Sequence, residues 1–206
     1  MAKARNRLRT NDPVGLRNRL LDAAATAFQT DGYDATSIHD LIRVTGVSGG
    51  ALHHHFPTKK SLALAVINER VAPDVASTWI DRIAGAPTAA SGILAVFDEV
   101  ADKLDSQGSV GGCPLGNLAS ELALGHEEFR TALSLRYAEW REAVATRIEA
   151  DLTEGRAAYA KGGGHGFANV AIALFTGALT IGKAEQSTNA LRDAAQELRS
   201  LMAEDL

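Results

Sequence analysis

The chain has 206 residues, of which 46% are hydrophobic and 22% charged, a composition that is typical of a globular protein and excludes a disordered one. Its single cysteine, Cys113, excludes an internal disulfide framework and a cysteine-based zinc site. The net charge is −4, and the longest apolar run, residues 167–182, is too short to span a bilayer. The basic N-terminus lacks the apolar core of a secretory signal, so we expect a cytoplasmic protein without a membrane partner.

Basic charge is concentrated at the N-terminal end of the chain. Residues 1–60 carry nine Lys or Arg and five Asp or Glu, a net charge of +4, which leaves −8 on the remaining residues. This asymmetry has two interpretations: a segment that binds a polyanion, or a solvated basic tail. Charge alone does not separate them.

Helix-breaking residues divide the sequence into helical segments, and no alternating strand pattern of useful length lies between them. The predicted helices span residues 14–30, 37–45, 48–56, 58–83, 89–105, 115–123, 127–153, 167–184 and 188–204. We therefore predict an all-α fold of about nine helices, with a three-helix N-terminal domain (residues 1–60) and a helical C-terminal bundle (residues 61–206).

The second and third predicted helices indicate a helix-turn-helix motif. Residues 37–45 would brace the motif, Gly46 would form the turn, and residues 48–56 would enter the major groove of DNA. Because helix pairs are common in all-α proteins, the spacing alone is a weak signal.

The residue types make the signal specific. Residues 20–66 resemble the DNA-binding domain of TetR/AcrR-type transcriptional regulators. The matching features are Ala-Phe before Gly-Tyr, Thr36-Ser37, Gly46-Val47-Ser48, Gly50-Ala51-Leu52, and His55-Phe56-Pro57 before Lys59. The resemblance implies DNA binding by residues 1–60, effector binding and dimerisation by residues 61–206, and neither catalytic residues nor a cofactor.

The resemblance also implies DNA contacts from a basic arm, from the start of the bracing helix and from the reading helix. These residues are Arg5, Arg7, Arg9, Thr36, Ser37, His39, Ser48, Gly49, Gly50, His53, His54 and Lys59. His53 stands where the family usually has Tyr, and Gly49 where it often has Lys, Arg or Pro, so the operator sequence does not follow from the resemblance. Three consecutive helical residues point about 100° apart, so the triple histidine at 53–55 is not expected to bind a metal ion.

Aromatic and leucine residues at helical spacing in the bundle are typical of a core, and the resemblance implies an effector pocket among them. The candidate effector contacts are Phe97, Cys113, Leu118, Leu122, Tyr137, Trp140 and Phe175. A small hydrophobic molecule is the default expectation. Cys113 stands before a predicted helix, where N–H groups can lower a thiol pKa. It is either a thiol sensor or a small buried side chain at a tight turn.

The last two helices are predicted to form a homodimer, because their small and apolar residues would allow a four-helix interface. The interface candidates are Phe167, Val170, Ala171, Leu174, Ala178, Ile181, Leu191, Ala195 and Leu198. A twofold dimer places two reading helices about 34–36 Å apart, or a multiple of that, which suits a palindromic operator. The alternative is that these residues form a monomeric core.

We therefore expect a dimeric transcriptional repressor that binds double-stranded DNA and that a small hydrophobic effector releases from it. Activation of transcription is left open as a variant. The alternative is an all-α small-molecule-binding protein or enzyme without a DNA function. No paired carboxylates, phosphate-binding glycine motif or Ser/His/Asp set supports an enzyme. An architectural DNA-binding protein would need basic charge over more of the surface.

Overall fold

A computed structural model describes residues 12–203, and within this range the chain forms nine helices and no strands. The helices are α1 (Pro13–Thr30), α2 (Ile38–Thr45), α3 (Gly49–His55), α4 (residues 59–84), α5 (Ala89–Gln107), α6 (Pro114–Leu122), α7 (Glu127–Thr153), α8 (Gly163–Glu185) and α9 (Asn189–Ala203). The predicted all-α class is confirmed.

Helix α8 begins at Gly163 and not at the predicted residue 167, because glycines form its first turn. A Cβ atom at Gly164 would lie 2.6 Å from the Ala145 carbonyl oxygen, so only glycine lets α8 approach α7 this closely. The Gly164 N–H donates to the Glu149 carboxylate at 2.5 Å and gives the helix start a partner.

Helix α4 is continuous across the predicted domain boundary at residue 60, and it contains two π-helical turns, Ile67–Val71 and Ala76–Ile80. Pro73 lies between them and has no N–H to donate to the Glu69 carbonyl four residues earlier. That carbonyl accepts a hydrogen bond from the Arg70 guanidinium at 2.9 Å instead. The π turns therefore let the helix accommodate the proline without ending.

One hydrophobic core runs through both ends of the molecule. Leu20 and Leu41 anchor α1 and α2, and the same buried cluster continues to Trp79, Phe97 and Trp140 in the bundle. These five side chains are at most 1% exposed, and each stabilises the fold by about 2–3 kcal/mol through burial. The three N-terminal helices and the bundle therefore share one core.

Helix α8 is long and apolar enough to cross a membrane, judged by length and composition alone. One of its faces is buried against α7 and α9. We therefore interpret it as a core helix that leaves its opposite face exposed.

Asp151 joins the end of α7 to the start of α5 and is fully buried. Its carboxylate accepts hydrogen bonds from the Ala89 N–H at 2.5 Å, from Arg156 at 2.8 Å and from Arg147. Burial alone would raise the pKa of Asp151, but these three donors outweigh burial and lower the pKa below its usual value.

Replacing Asp151 with Asn should lower the free energy of unfolding by about 2–3 kcal/mol in urea denaturation at pH 7, because two arginines and a helix start lose their charged acceptor. Since the folded-state pKa is the lower one, this contribution is present above about pH 4 and is lost as the pH falls further. The free energies of unfolding of the original protein and of Asp151→Asn should therefore become equal in acid.

The matched control is Asp98→Asn, since Asp98 pairs with Arg199 at 3.0 Å on the surface, where both side chains are 46% exposed. That change should cost at most about 0.5 kcal/mol. Equal losses of unfolding free energy in the two variants would contradict the role of Asp151. So would a difference in unfolding free energy between Asp151→Asn and the original protein that persists in acid.

Candidate DNA-binding face and ligand cavity

Helix α3 buries one face and exposes the other. Ser48 is its N-cap and accepts a hydrogen bond from the Ala51 N–H at 3.2 Å. Leu52 and Phe56 are 4% and 3% exposed and fasten the helix to the core. The exposed residues include the predicted contacts Ser48, Gly49, Gly50, His53 and His54. This face is therefore free to meet another molecule.

The three histidines of α3 do not converge. His53 and His54 are exposed, whereas His55 is half-buried with its ring 6.3 Å from that of Phe56. Among residues 12–203, no group of three or more His, Cys, Asp or Glu is placed to hold a metal ion.

At the start of α2, the predicted DNA contacts fall into different environments. Thr36 is 6% exposed and its hydroxyl donates to the Gly32 carbonyl at 2.7 Å. The Thr36 side chain therefore closes the turn before α2 inside the protein, and a DNA contact by Thr36 stays a prediction. Ser37 caps α2 by accepting from the His39 N–H at 3.1 Å, and His39 itself is exposed.

Lys59 is half-buried and already bound within the protein. Its ammonium lies 4.3 Å from the centroid of the Tyr33 ring and donates to the Asp34 carbonyl at 3.2 Å. Arg17, which the sequence did not single out, pairs with both Glu69 oxygens at 2.5 and 2.6 Å and lies over the Phe56 ring. The predicted basic arm, Arg5, Arg7 and Arg9, lies outside the described residues.

The bundle contains a cavity of about 310 Å³ between α1, α4, α5 and the segment that precedes α6. Its inner end is aromatic, since the Trp79 ring lies 5.0 Å from those of Trp140 and Phe175. Its other lining residues include Asp74 and Lys103, both exposed. A larger concavity of about 1020 Å³ between α4 and α7 is an open surface groove and encloses nothing.

Three of the predicted effector contacts, Cys113, Trp140 and Phe175, line this cavity. The other four candidates do not line it. Phe97 is fully buried behind Trp79 and Phe175, Leu118 and Leu122 lie in the core away from the cavity, and Tyr137 borders a separate surface depression. Trp79 and Gln29 line the cavity and were missed.

Cys113 is the N-cap residue of α6 and is 3% exposed. Burial raises its pKa, and the neighbouring N–H groups of Gly116 and Leu115 reduce the rise without reversing it. The expectation that the helix start lowers the thiol pKa is therefore wrong, because the desolvation of a thiolate outweighs the helix dipole here.

The outer face of α8 is apolar and uncovered within residues 12–203. Val170, Leu174 and Ile181 are 47%, 38% and 51% exposed. Beside them, a Cβ atom at Gly177 would meet nothing within 4 Å. Ala178 forms the floor of the shallow groove between this face and α9.

Four other residues predicted to lie in the interface are already buried within the chain. Ala171, Leu191, Ala195 and Leu198 are at most 1% exposed. The apolar stripe of α9 lies inward, where this helix packs on α5 and α8. Phe167 is half-buried, with its ring 4.7 Å from that of Tyr159.

Two family models match the chain. The model described as "Bacterial regulatory proteins, tetR family" matches residues 20–66, and "Transcriptional regulator LmrA/YxaF-like, C-terminal domain" matches residues 89–197. Together they cover the helix-turn-helix and most of the bundle.

Individual proteins similar to this chain are also described as transcriptional regulators. The HTH-type transcriptional regulator LmrA of Bacillus subtilis is 30% identical over 64% of this chain and 70% of its own length. A TetR transcriptional regulator from Chloroflexus aurantiacus has a TM-score of 0.78 at 25% identity, over 93% of this chain and 96% of its own. A TetR-family regulator from Cytophaga hutchinsonii has a TM-score of 0.81 at 23% identity, over 93% and 95%.

The burial of Cys113 predicts slow thiol chemistry. Because its pKa is raised, the folded protein should react with iodoacetamide at pH 8 at least about tenfold more slowly than the urea-unfolded chain. The rate should still be rising above pH 9, which a series of alkylation rates read by mass spectrometry would record. Folded protein that reacts faster than unfolded chain would contradict this prediction.

Proposed function

The chain is a member of the TetR family of bacterial transcriptional regulators, and from this premise we propose that it is a homodimeric repressor of a palindromic operator, released by a small hydrophobic effector. The observation that carries the proposal is the exposed face of α3, which is held on a buried base by Leu52 and Phe56. Its relatives are regulators rather than enzymes, which removes the enzymatic alternative. We place the protein in the cytoplasm, where its DNA partner is.

Operator recognition is assigned to the first turn of α3 and the exposed histidines that follow. Gly49 and Gly50 have no side chain, so the backbone can approach the duplex closely. His53 and His54 extend from the same helix towards the groove or the phosphates. Since this face offers few side chains for direct readout, DNA shape contributes to specificity.

Dimerisation is assigned to the outer face of α8. The exposed Val170, Leu174 and Ile181 form a contiguous apolar surface, and Gly177 lets a second helix approach closely. A second copy of the chain, related by a twofold axis, would cover this surface and set the separation of the two α3 helices.

Effector binding is assigned to the cavity at the aromatic cluster. Its volume of about 310 Å³ suits a small molecule at the lower end of the usual range. The indole N–H groups of Trp79 and Trp140 are buried and find no acceptor among residues 12–203. Because both indole nitrogens are closed off from the cavity, an effector there would contact the apolar faces and edges of the rings. It releases DNA if it binds better to a conformation whose α3 helices do not fit the operator.

Replacing Gly50 with Glu should weaken DNA binding at least tenfold, about 1.4 kcal/mol, because the new carboxylate faces the phosphates. A Cβ atom at Gly50 meets nothing within 4 Å, so the fold should tolerate the change. Fluorescence anisotropy of a labelled duplex from the region flanking its own gene measures the affinity.

The matched control is Gly125→Glu, which adds the same charge at another exposed glycine with nothing within 4 Å, in the turn before α7. It should leave DNA affinity within about twofold of the original value. Equal losses at positions 50 and 125 would contradict the assignment of the DNA-binding face.

Replacing Ile181 with Glu should convert the dimer into monomers and weaken operator binding, since a charge in an apolar interface loses its hydration. Leu135→Glu is the control, because Leu135 is 50% exposed and Ile181 51%, and Leu135 lies on α7 away from the outer face of α8. Sedimentation velocity should find monomers for the first variant alone. A dimer that survives Ile181→Glu would overturn the assigned interface.

A further inference from the structure

The effector cavity is not confined to the bundle, because helix α1 of the DNA-binding domain forms part of its wall. Gln29 and Thr30 line the cavity together with residues of the segment 109–113. The Gln29 amide nitrogen donates to the carbonyl oxygens of Gly111 and Gly112 at 2.9 and 2.8 Å. The last turn of α1 is thus bound directly to the cavity wall.

The bundle holds the other side of this segment independently. The Gly111 carbonyl also accepts from the Asn117 amide at 2.8 Å. The Gln186 side chain exchanges hydrogen bonds with the Val110 backbone, at 3.1 Å to its carbonyl and 3.3 Å from its N–H. Gln29 is therefore the side chain that ties this braced segment to the DNA-binding domain.

Helix α6 makes a second connection at its far end. Its start is at the cavity, since Cys113 and Pro114 line it. The helix has nine residues and is therefore about 13 Å long. Near its other end, the Glu121 carboxylate accepts hydrogen bonds from the Tyr33 N–H at 2.8 Å and the Asp34 N–H at 2.7 Å. Both connections therefore reach residues 29–34, the stretch that leads from α1 into α2.

We propose that Gln29 is the positioning residue through which cavity occupancy reaches the DNA-binding domain. An effector whose apolar body lies against Trp79 and Trp140, and whose polar group bonds the Gln29 amide or the glycine carbonyls, competes with the native hydrogen bonds. The end of α1 then separates from the cavity wall, the hold of Glu121 on the following turn loosens, and α3 leaves its DNA-binding position. This proposal rests on the proposed function.

The first test is hydrogen exchange of the Tyr33 and Asp34 amides in the dimeric full chain without DNA. Gln29→Met keeps the side-chain length and removes the donor, so both amides should exchange at least about fivefold faster. The matched control is Gln186→Met, which removes a glutamine bridge from the same segment but leaves α1 attached, and it should leave both amides unchanged. Gln29→Glu, which cannot donate to the two carbonyls, serves as a second variant and should act like Gln29→Met.

Unchanged exchange in folded Gln29→Met and Gln29→Glu would overturn the proposal. Equal acceleration in Gln186→Met would overturn it as well, because the effect would then belong to the loop and not to the connection with α1.

The second test uses reciprocity, since coupling between two sites acts in both directions. The chain has two tryptophans, and both line the cavity, so their fluorescence reports on its state. Duplex DNA from the region flanking its own gene, at low salt, should change this fluorescence in the original protein and in Gln186→Met, and at least about fivefold less in Gln29→Met. A full response in Gln29→Met would contradict the role of Gln29, whereas failure of every protein to bind the duplex in anisotropy would contradict the proposed function instead.

Discussion

The position of the reading helix depends on how the end of α1 is fixed to the bundle. Helix α3 has seven residues, too few to be stable alone, so it needs the anchoring provided by Leu52 and Phe56 in the shared core. Arg17 of α1 covers the Phe56 ring, and the far end of α1 is bound to the cavity wall by Gln29. These contacts are the physical basis of the proposed coupling, in which a displacement of α1 at the cavity would carry α3 with it.

The cavity ends at a cluster of aromatic rings, one of which lies on an irregular helix. Trp79 lies on the second π turn of α4 and packs edge-on against Trp140 and Phe175 at 5.0 Å. The same cluster links α4, α7 and α8, so the cavity is bounded by the helix that carries the outer apolar face.

The sequence predicted local features of the helices better than it predicted which side chains are buried. The starts of α2 and α3 agree with the predicted ranges to within one residue, because Ser37 and Ser48 cap them and capping is decided by neighbouring residues. The sequence did not show that Leu198 and Phe97 would be fully buried, because an apolar residue at helical spacing fits a core, a pocket or an interface equally well. Gln29 and Glu121 gave no signal, since both act across more than eighty residues of sequence separation.

Two copies of α3 held at a fixed separation should bind one operator, and hydroxyl-radical footprinting of the DNA flanking the gene would detect this arrangement. We expect two protected patches related by a twofold axis, about one helical turn apart or a multiple of that. One compound from a panel of hydrophobic molecules should abolish both patches together. A duplex left unprotected at low salt, or a single patch that no dimer explains, would contradict this arrangement.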